Sequence, residues 1–192
     1  MRSVTVVCGI LVVIMMLTGC NQKAELSNEE HFFTNFKNYE AQVTICFMKD
    51  TQSNELKMKQ RASLDDTYEI ELQEPSHLAG IRMSSDGKEI QQYFPSTQKT
   101  ISSKMSTLPN EILLTSFVER YLACKEAQRG EEQLHGKRMI TFEVPMEGNN
   151  KYMVKEKIWL DYEKKLPVQL VIFDVEGKVT LQCEYENFKY NL

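Results

Sequence analysis

Tyr68-Glu69-Ile70-Glu71-Leu72-Gln73-Glu74 alternates apolar with polar residues. That period of two marks a strand with one face on a core and the other in water. Pro75 ends the run, Gly80 releases the chain into Ile81-Arg82-Met83, and Asp86-Gly87 separates that segment from Lys88 to Phe94, with Pro95 closing the set. Asp-Gly suits a tight primed turn, whose central residues need positive φ. The stretch predicts an antiparallel meander of three short strands.

The other segments extend this sheet or cover it. Ser27 with Glu30 three residues on resembles a capping box, and Phe32, Phe33, Phe36 and Tyr39 then recur at helical spacing, so a short helix with a core-facing aromatic stripe is expected. Ala41 to Lys49 sets Val43, Ile45 and Phe47 against Thr44, Cys46 and Met48, a strand apolar enough to be covered on both faces. Glu55 to Ala62 reads as a strand wet on one side, and Thr97 to Ser103 as a polar edge strand. From Pro109 the period lengthens: Leu113, Leu114, Phe117, Val118, Tyr121 and Cys124 predict an amphipathic helix of about four turns over Asn110 to Cys124. Gln128 to Gly136, polar and bounded by glycine, predicts a loop. Strands are expected again at Arg138 to Val144, Tyr152 to Asp161, Pro167 to Phe173 and Lys178 to Tyr190, about ten in all. Leu170-Val171-Ile172-Phe173 is apolar without alternation, which suggests a central strand with core on one side and a helix on the other. The fold class is mainly β with helices (α+β).

Composition adds an address. With 192 residues, 42% hydrophobic and 26% charged, the chain suits one globular domain. Val4 to Leu17 forms an apolar run behind Arg2, too short for the ~20 residues of a membrane-spanning helix and suited to an export signal. It ends in Leu17-Thr18-Gly19-Cys20, which resembles the lipobox of bacterial lipoproteins. That resemblance implies cleavage before Cys20 and acylation of its thiol. Residues 1–19 are then a signal peptide, 20–28 a lipidated tether and 29–192 the folded domain, exported and anchored on the outer face of the cell or forespore membrane. The alternative is an ordinary secretory peptide in which Cys20 is incidental; the position of the motif favours the lipobox. The net charge is −4 and no cluster of Lys and Arg stands out, so neither nucleic acid nor an anionic lipid surface is an electrostatic partner.

Candidate chemistry is sparse. The chain has no Gly-x-Ser-x-Gly elbow, phosphate-cradling glycine loop or His-Glu-x-x-His helix. His31, His77 and His135 fall at a helix start, a turn and a loop, and the acidic pairs Asp65-Asp66 and Glu131-Glu132 fall in expected turns. No catalytic residue, metal site or cofactor is assigned, and the chain reads as a non-enzyme. Cys46, Cys124 and Cys183 match no zinc or redox spacing; they are buried thiols, or two of them form a disulfide. Met48, Met58, Met83 and Met105 either line an apolar groove or fill the core.

Several of these residues together resemble a known family. The short aromatic helix, the Tyr-x-Ile strand running to Pro75, Ser85-Asp86-Gly87-Lys88 followed by Tyr93-Phe94-Pro95, Trp159-Leu160-Asp161 before Leu166-Pro167-Val168, and Tyr185-Glu186-Asn187-Phe188 resemble the LolA/LolB-like lipoprotein-carrier superfamily. The resemblance implies an open antiparallel half-barrel with helices covering its concave face. A lipidated member of this size is most similar to the GerS-like spore germination lipoproteins. What that implies is a non-catalytic protein that binds a CwlD-like N-acetylmuramoyl-L-alanine amidase and supports the spore cortex modification needed for germination. The superfamily implies the alternative, a carrier or sensor of lipid or lipoprotein acyl chains. The polar edge from Thr97 to Ser103 leaves a homodimer open.

Overall fold

The computed structural model describes residues 28–49, 52–104 and 110–192. Among them, a helix α1 (Asn28–Asn35) leads into six strands: β1 (Asn38–Lys49), β2 (Gln52–Ser63), β3 (Thr67–Glu74), β4 (Arg82–Asp86), β5 (Ile90–Phe94) and β6 (Lys99–Ser103). A 3-10 turn (Asn110–Ile112) and helix α2 (Leu114–Ala123) follow. Five more strands complete the chain: β7 (Gln128–Leu134), β8 (Lys137–Pro145), β9 (Lys155–Asp161), β10 (Pro167–Phe173) and β11 (Val179–Tyr190). All eleven join one open antiparallel sheet in the order β6-β5-β4-β3-β2-β1-β11-β10-β9-β8-β7. Two meanders therefore meet where the first long strand pairs with the last, and β6 and β7 are left as the two ends.

Alternation decides which side is buried. Val43 and Ile45 of β1, Met58 of β2, Ile70 and Leu72 of β3, Ile158 and Leu160 of β9, and Leu170 and Ile172 of β10 all turn to one face, and each is at most 6% exposed. Both helices lie on that face. The four aromatic residues Phe32, Phe33, Phe36 and Tyr39 are all buried there, as their spacing predicts, although Tyr39 belongs to β1 rather than to the helix. The ring of Phe33 meets Phe117 at 5.9 Å, Tyr121 at 4.2 Å and Phe142 at 5.0 Å, so aromatic side chains from both helices and β8 fill the space between helices and sheet. Such pairs add about 0.5–1.5 kcal/mol each to the area they bury.

Five expectations change. Gln128–Leu134 is strand β7, not a loop. As an end strand it is wet on both faces, and its Glu131 and Glu132 bind Arg138 and Lys157 on neighbouring strands, so no apolar alternation marks it. The helix expected from Asn110 is broken at Leu113, whose ψ of 130° is extended, which separates a 3-10 turn from α2. Asp86-Gly87 is no two-residue primed turn: only Gly87 has positive φ, and the Asp86 carboxylate accepts from the amides of Lys88 and Glu89 to close a longer loop. Strand β1 is covered on one face only, with Met48 38% exposed on the other. Strand β10 is central, but the side away from the helices carries a small cluster of Met139, Trp159 and Val171. In place of a helix, Leu134 and Phe173 pack beside it, Lys157 lies 5.0 Å over the Trp159 ring, and Glu132 accepts from the Trp159 indole at 3.1 Å.

Candidate functional site

Two buried polar clusters fix α2 and the 3-10 turn before it to the sheet. In the first, the Tyr39 hydroxyl donates to Gln60 Oε1 at 2.6 Å and accepts from the Leu114 amide at 3.2 Å, while Gln60 Nε2 donates to the Ile112 carbonyl at 3.3 Å. One tyrosine thus supplies the first helical residue of α2 with the partner that its own cap lacks. In the second, the Arg120 guanidinium of α2 donates through Nε and Nη2 to both oxygens of Glu156 on β9. The Glu156 side chain is fully buried and that of Arg120 27% exposed. Burial raises the Glu156 carboxyl above the usual carboxylate range, opposed by the two hydrogen bonds from Arg120. Both clusters hold the helix in place, and neither presents a reacting group to solvent.

The opposite face of β1–β5 is a ladder of charges that alternate in sign from strand to strand. One row runs Lys189, Glu40, Arg61, Glu69; the next runs Lys59, Glu71, Arg82 and then Tyr93 and Thr100. Arg61 donates to Glu40 at 2.6 Å, and that hydrogen bond is the main reason the Glu40 carboxyl lies below its usual range. The rows line a groove of about 430 Å³, and Arg82 lies 4.9 Å over the Tyr93 ring within it. A second groove of about 570 Å³ sits by Arg61, Tyr68 and Ser84, and a third of about 260 Å³ runs between Tyr68, Ile90 and the start of α2.

The residues singled out from the sequence are dispersed. His31, His77 and His135 are exposed, on α1, in the turn after β3 and in the β7–β8 turn, and among the described residues no group of His, Cys, Asp or Glu is arranged to hold a metal. Cys46 faces away from the helices, Cys183 is buried beneath them, Cys124 caps α2, and all three are free thiols. Met58 and Met83 are core residues, while Met48 is exposed on the opposite face. Cys20 and Met105 lie outside the described residues. The Arg120–Glu156 clamp and the charge ladder were missed in the sequence because each pairs residues far apart in the chain.

The whole chain, residues 1–192, matches the family described as sporulation protein YdcC-like. It belongs to that family. No curated protein matches this YdcC-like chain in sequence. Among solved structures, it is similar to the GerS chain in the structure of the CwlD amidase from Clostridioides difficile in complex with the GerS lipoprotein. That match has 20% identity and a TM-score of 0.54, covering 88% of this chain and 99% of that one. It is also similar to an uncharacterized conserved protein from Thermus thermophilus, at 16% identity and a TM-score of 0.51, covering 81% and 79%. A LolA superfamily protein from Nitrosomonas europaea matches more loosely, at 11% identity and a TM-score of 0.39, covering 80% and 86%. The resemblance drawn from the residues thus holds for the YdcC-like protein at the level of fold.

Proposed function

We propose that this YdcC-like protein is a membrane-tethered, non-catalytic lipoprotein that binds and supports a cell-wall N-acetylmuramoyl-L-alanine amidase in the spore cortex modification needed for germination. The observation that carries the reading is the shared fold across 99% of a chain whose structure is in complex with an amidase, in a protein of a sporulation family. The geometry is consistent with it. The helix-bearing side, which we take as the concave side of a half-barrel, is packed with Phe33, Phe117, Tyr121 and Phe142, and this favours a protein partner over a carried acyl chain. The charged rows and the groove of about 430 Å³ that they line face outward for such a partner.

The tether rests on Leu17-Thr18-Gly19-Cys20. Cys20→Ala is expected to leave the protein uncleaved or to release it from the detergent phase, and a variant that partitions and migrates like wild type contradicts the lipid assignment. Co-purification of the full chain with the amidase of the same sporulating cell tests the partner. A 1:1 complex is expected, with about 1,600 Å² buried in total for a stable association. Bound lipid seen by native mass spectrometry, with no amidase complex, would overturn the proposal in favour of an acyl-chain carrier.

A further inference from the structure

On the face away from the helices, one carboxylate stands between two cations and pairs with neither. Register sets Glu71 of β3 opposite Lys59 of β2 on one side and Arg82 of β4 on the other. Residues directly opposite in an antiparallel pair lie about 4.5–5.5 Å apart at Cα, close enough for both pairs to close as salt bridges. Both cations turn away instead. Lys59 Nζ lies 3.4 Å from Glu40 of β1, and the Arg82 guanidinium lies 4.9 Å over the Tyr93 ring of β5. Among the described residues Glu71 forms no ion pair, and Arg82 has no partner but that ring. Both are exposed and line the groove of about 430 Å³, a volume within the roughly 300–1,000 Å³ of small-molecule sites.

We propose that this groove binds an α-amino-acid head, an ammonium and a carboxylate on one carbon, with Glu71 receiving the ammonium and Arg82 the carboxylate. The stack on Tyr93 holds the guanidinium by its face, and the N–H groups at its edge remain for a carboxylate, which arginine meets with two parallel hydrogen bonds. An ionised Glu71 accepts through both oxygens and suits an ammonium. Charge balance selects this ligand over a simple anion. Lys59, Arg61 and Arg82 line the groove against Glu69 and Glu71, and Arg61 already donates to Glu40 at 2.6 Å and lies 3.8 Å from Glu69. A phosphate placed here meets two carboxylates, and a bare amine leaves Arg82 without a partner. An α-amino acid satisfies both open groups and adds no net charge. The head is the same on a free amino acid and on the side chain of a diamino acid within a peptide. This inference goes beyond the amidase reading and does not depend on it.

The test uses the full chain in detergent and saturation-transfer NMR. The probes are L-alanine, propionate, ethylamine, inorganic phosphate, and diaminopimelate acetylated and amidated at one of its two ends, which leaves a single amino-acid head. L-Alanine is expected to bind at millimolar concentration, and propionate and ethylamine, each of its size with one charge, about tenfold more weakly. Glu71→Gln should weaken L-alanine by about tenfold without weakening propionate, whereas Arg82→Gln should weaken both. A merely structural role for either residue would not separate the two ligands in this way. The blocked diamino acid distinguishes the sources: tighter binding than L-alanine assigns the head to a peptide, weaker binding to a free amino acid, and either supports the site. Equal affinity for L-alanine and propionate, tighter binding of phosphate, or no binding of any probe overturns the proposal. Loss of an amidase complex in both variants, with no small ligand bound by wild type, makes the groove part of a protein interface and overturns it too. Failure of the amidase to bind the wild-type chain changes none of the probe results, so the two readings fail separately.

Discussion

Arg120→Met removes the counter-ion of a carboxylate that has no contact with water. Glu156 is fully buried and takes both its hydrogen bonds from Arg120, so the variant leaves an unpaired charge under α2. Breaking a buried pair from one side costs about 3–5 kcal/mol; partial exposure of the arginine puts this case near about 3 kcal/mol at pH 8. The penalty depends on pH with a definite sign. Burial already raises the Glu156 carboxyl, and loss of the arginine removes the influence that lowers it. The folded variant therefore takes up a proton before the unfolded chain, whose glutamate titrates near about 4.3. Stability is retained below that pH and lost as pH rises through the folded value, by about 1.4 kcal/mol per pH unit. Urea denaturation of wild type and variant at pH 5 and pH 8 reads the difference, with effects from other carboxylates common to both proteins. The variant should be penalised less at pH 5 than at pH 8, and Arg120→Met with Glu156→Leu should recover most of the loss. A penalty below about 1 kcal/mol at pH 8, or one larger at pH 5, refutes the reasoning.

Three further perturbations test the packing. Tyr39→Phe leaves Gln60 Oε1 and the Leu114 amide without their buried partner and should cost about 1–3 kcal/mol in chemical denaturation; a loss near zero means that water replaces the hydroxyl. Gly130→Val places a Cβ 2.9 Å from Thr141 Oγ1 on the neighbouring strand and should destabilise by about 1–3 kcal/mol, with Thr141→Gly restoring thermal stability, whereas an unchanged melting temperature in the single variant would show that β7 shifts freely. In thiol labelling at pH 8, Cys183 should react only on unfolding, since burial raises its thiol well above the ordinary range, while Cys46 and Cys124 react in the native protein; early modification of Cys183 contradicts its placement beneath the helices.

The sequence made the sheet legible wherever one face is dry. Tyr68 to Glu74 and Pro167 to Phe173 both emerge as strands because core residues stamp a pattern on them. Strand β7 escaped because an end strand carrying Arg129, Glu131 and Glu132 owes its place to backbone pairing and to cross-strand ion pairs, which leave no local period. The break at Leu113 escaped for a related reason. The apolar spacing continues through it, and the tertiary partner Tyr39, 75 residues away, meets the backbone amide that a continuous helix would have satisfied. The candidate surface was legible in part: the polar edge near Lys99–Ser103 was visible, while the cross-strand rows around Arg61 and Arg82 depend on register, which only the fold supplies.

Light scattering on the full chain mixed with the N-acetylmuramoyl-L-alanine amidase of the same sporulating cell tests the central claim most directly. A stable particle with the summed mass of both proteins is the predicted result, and two separate species at micromolar concentration would contradict the account.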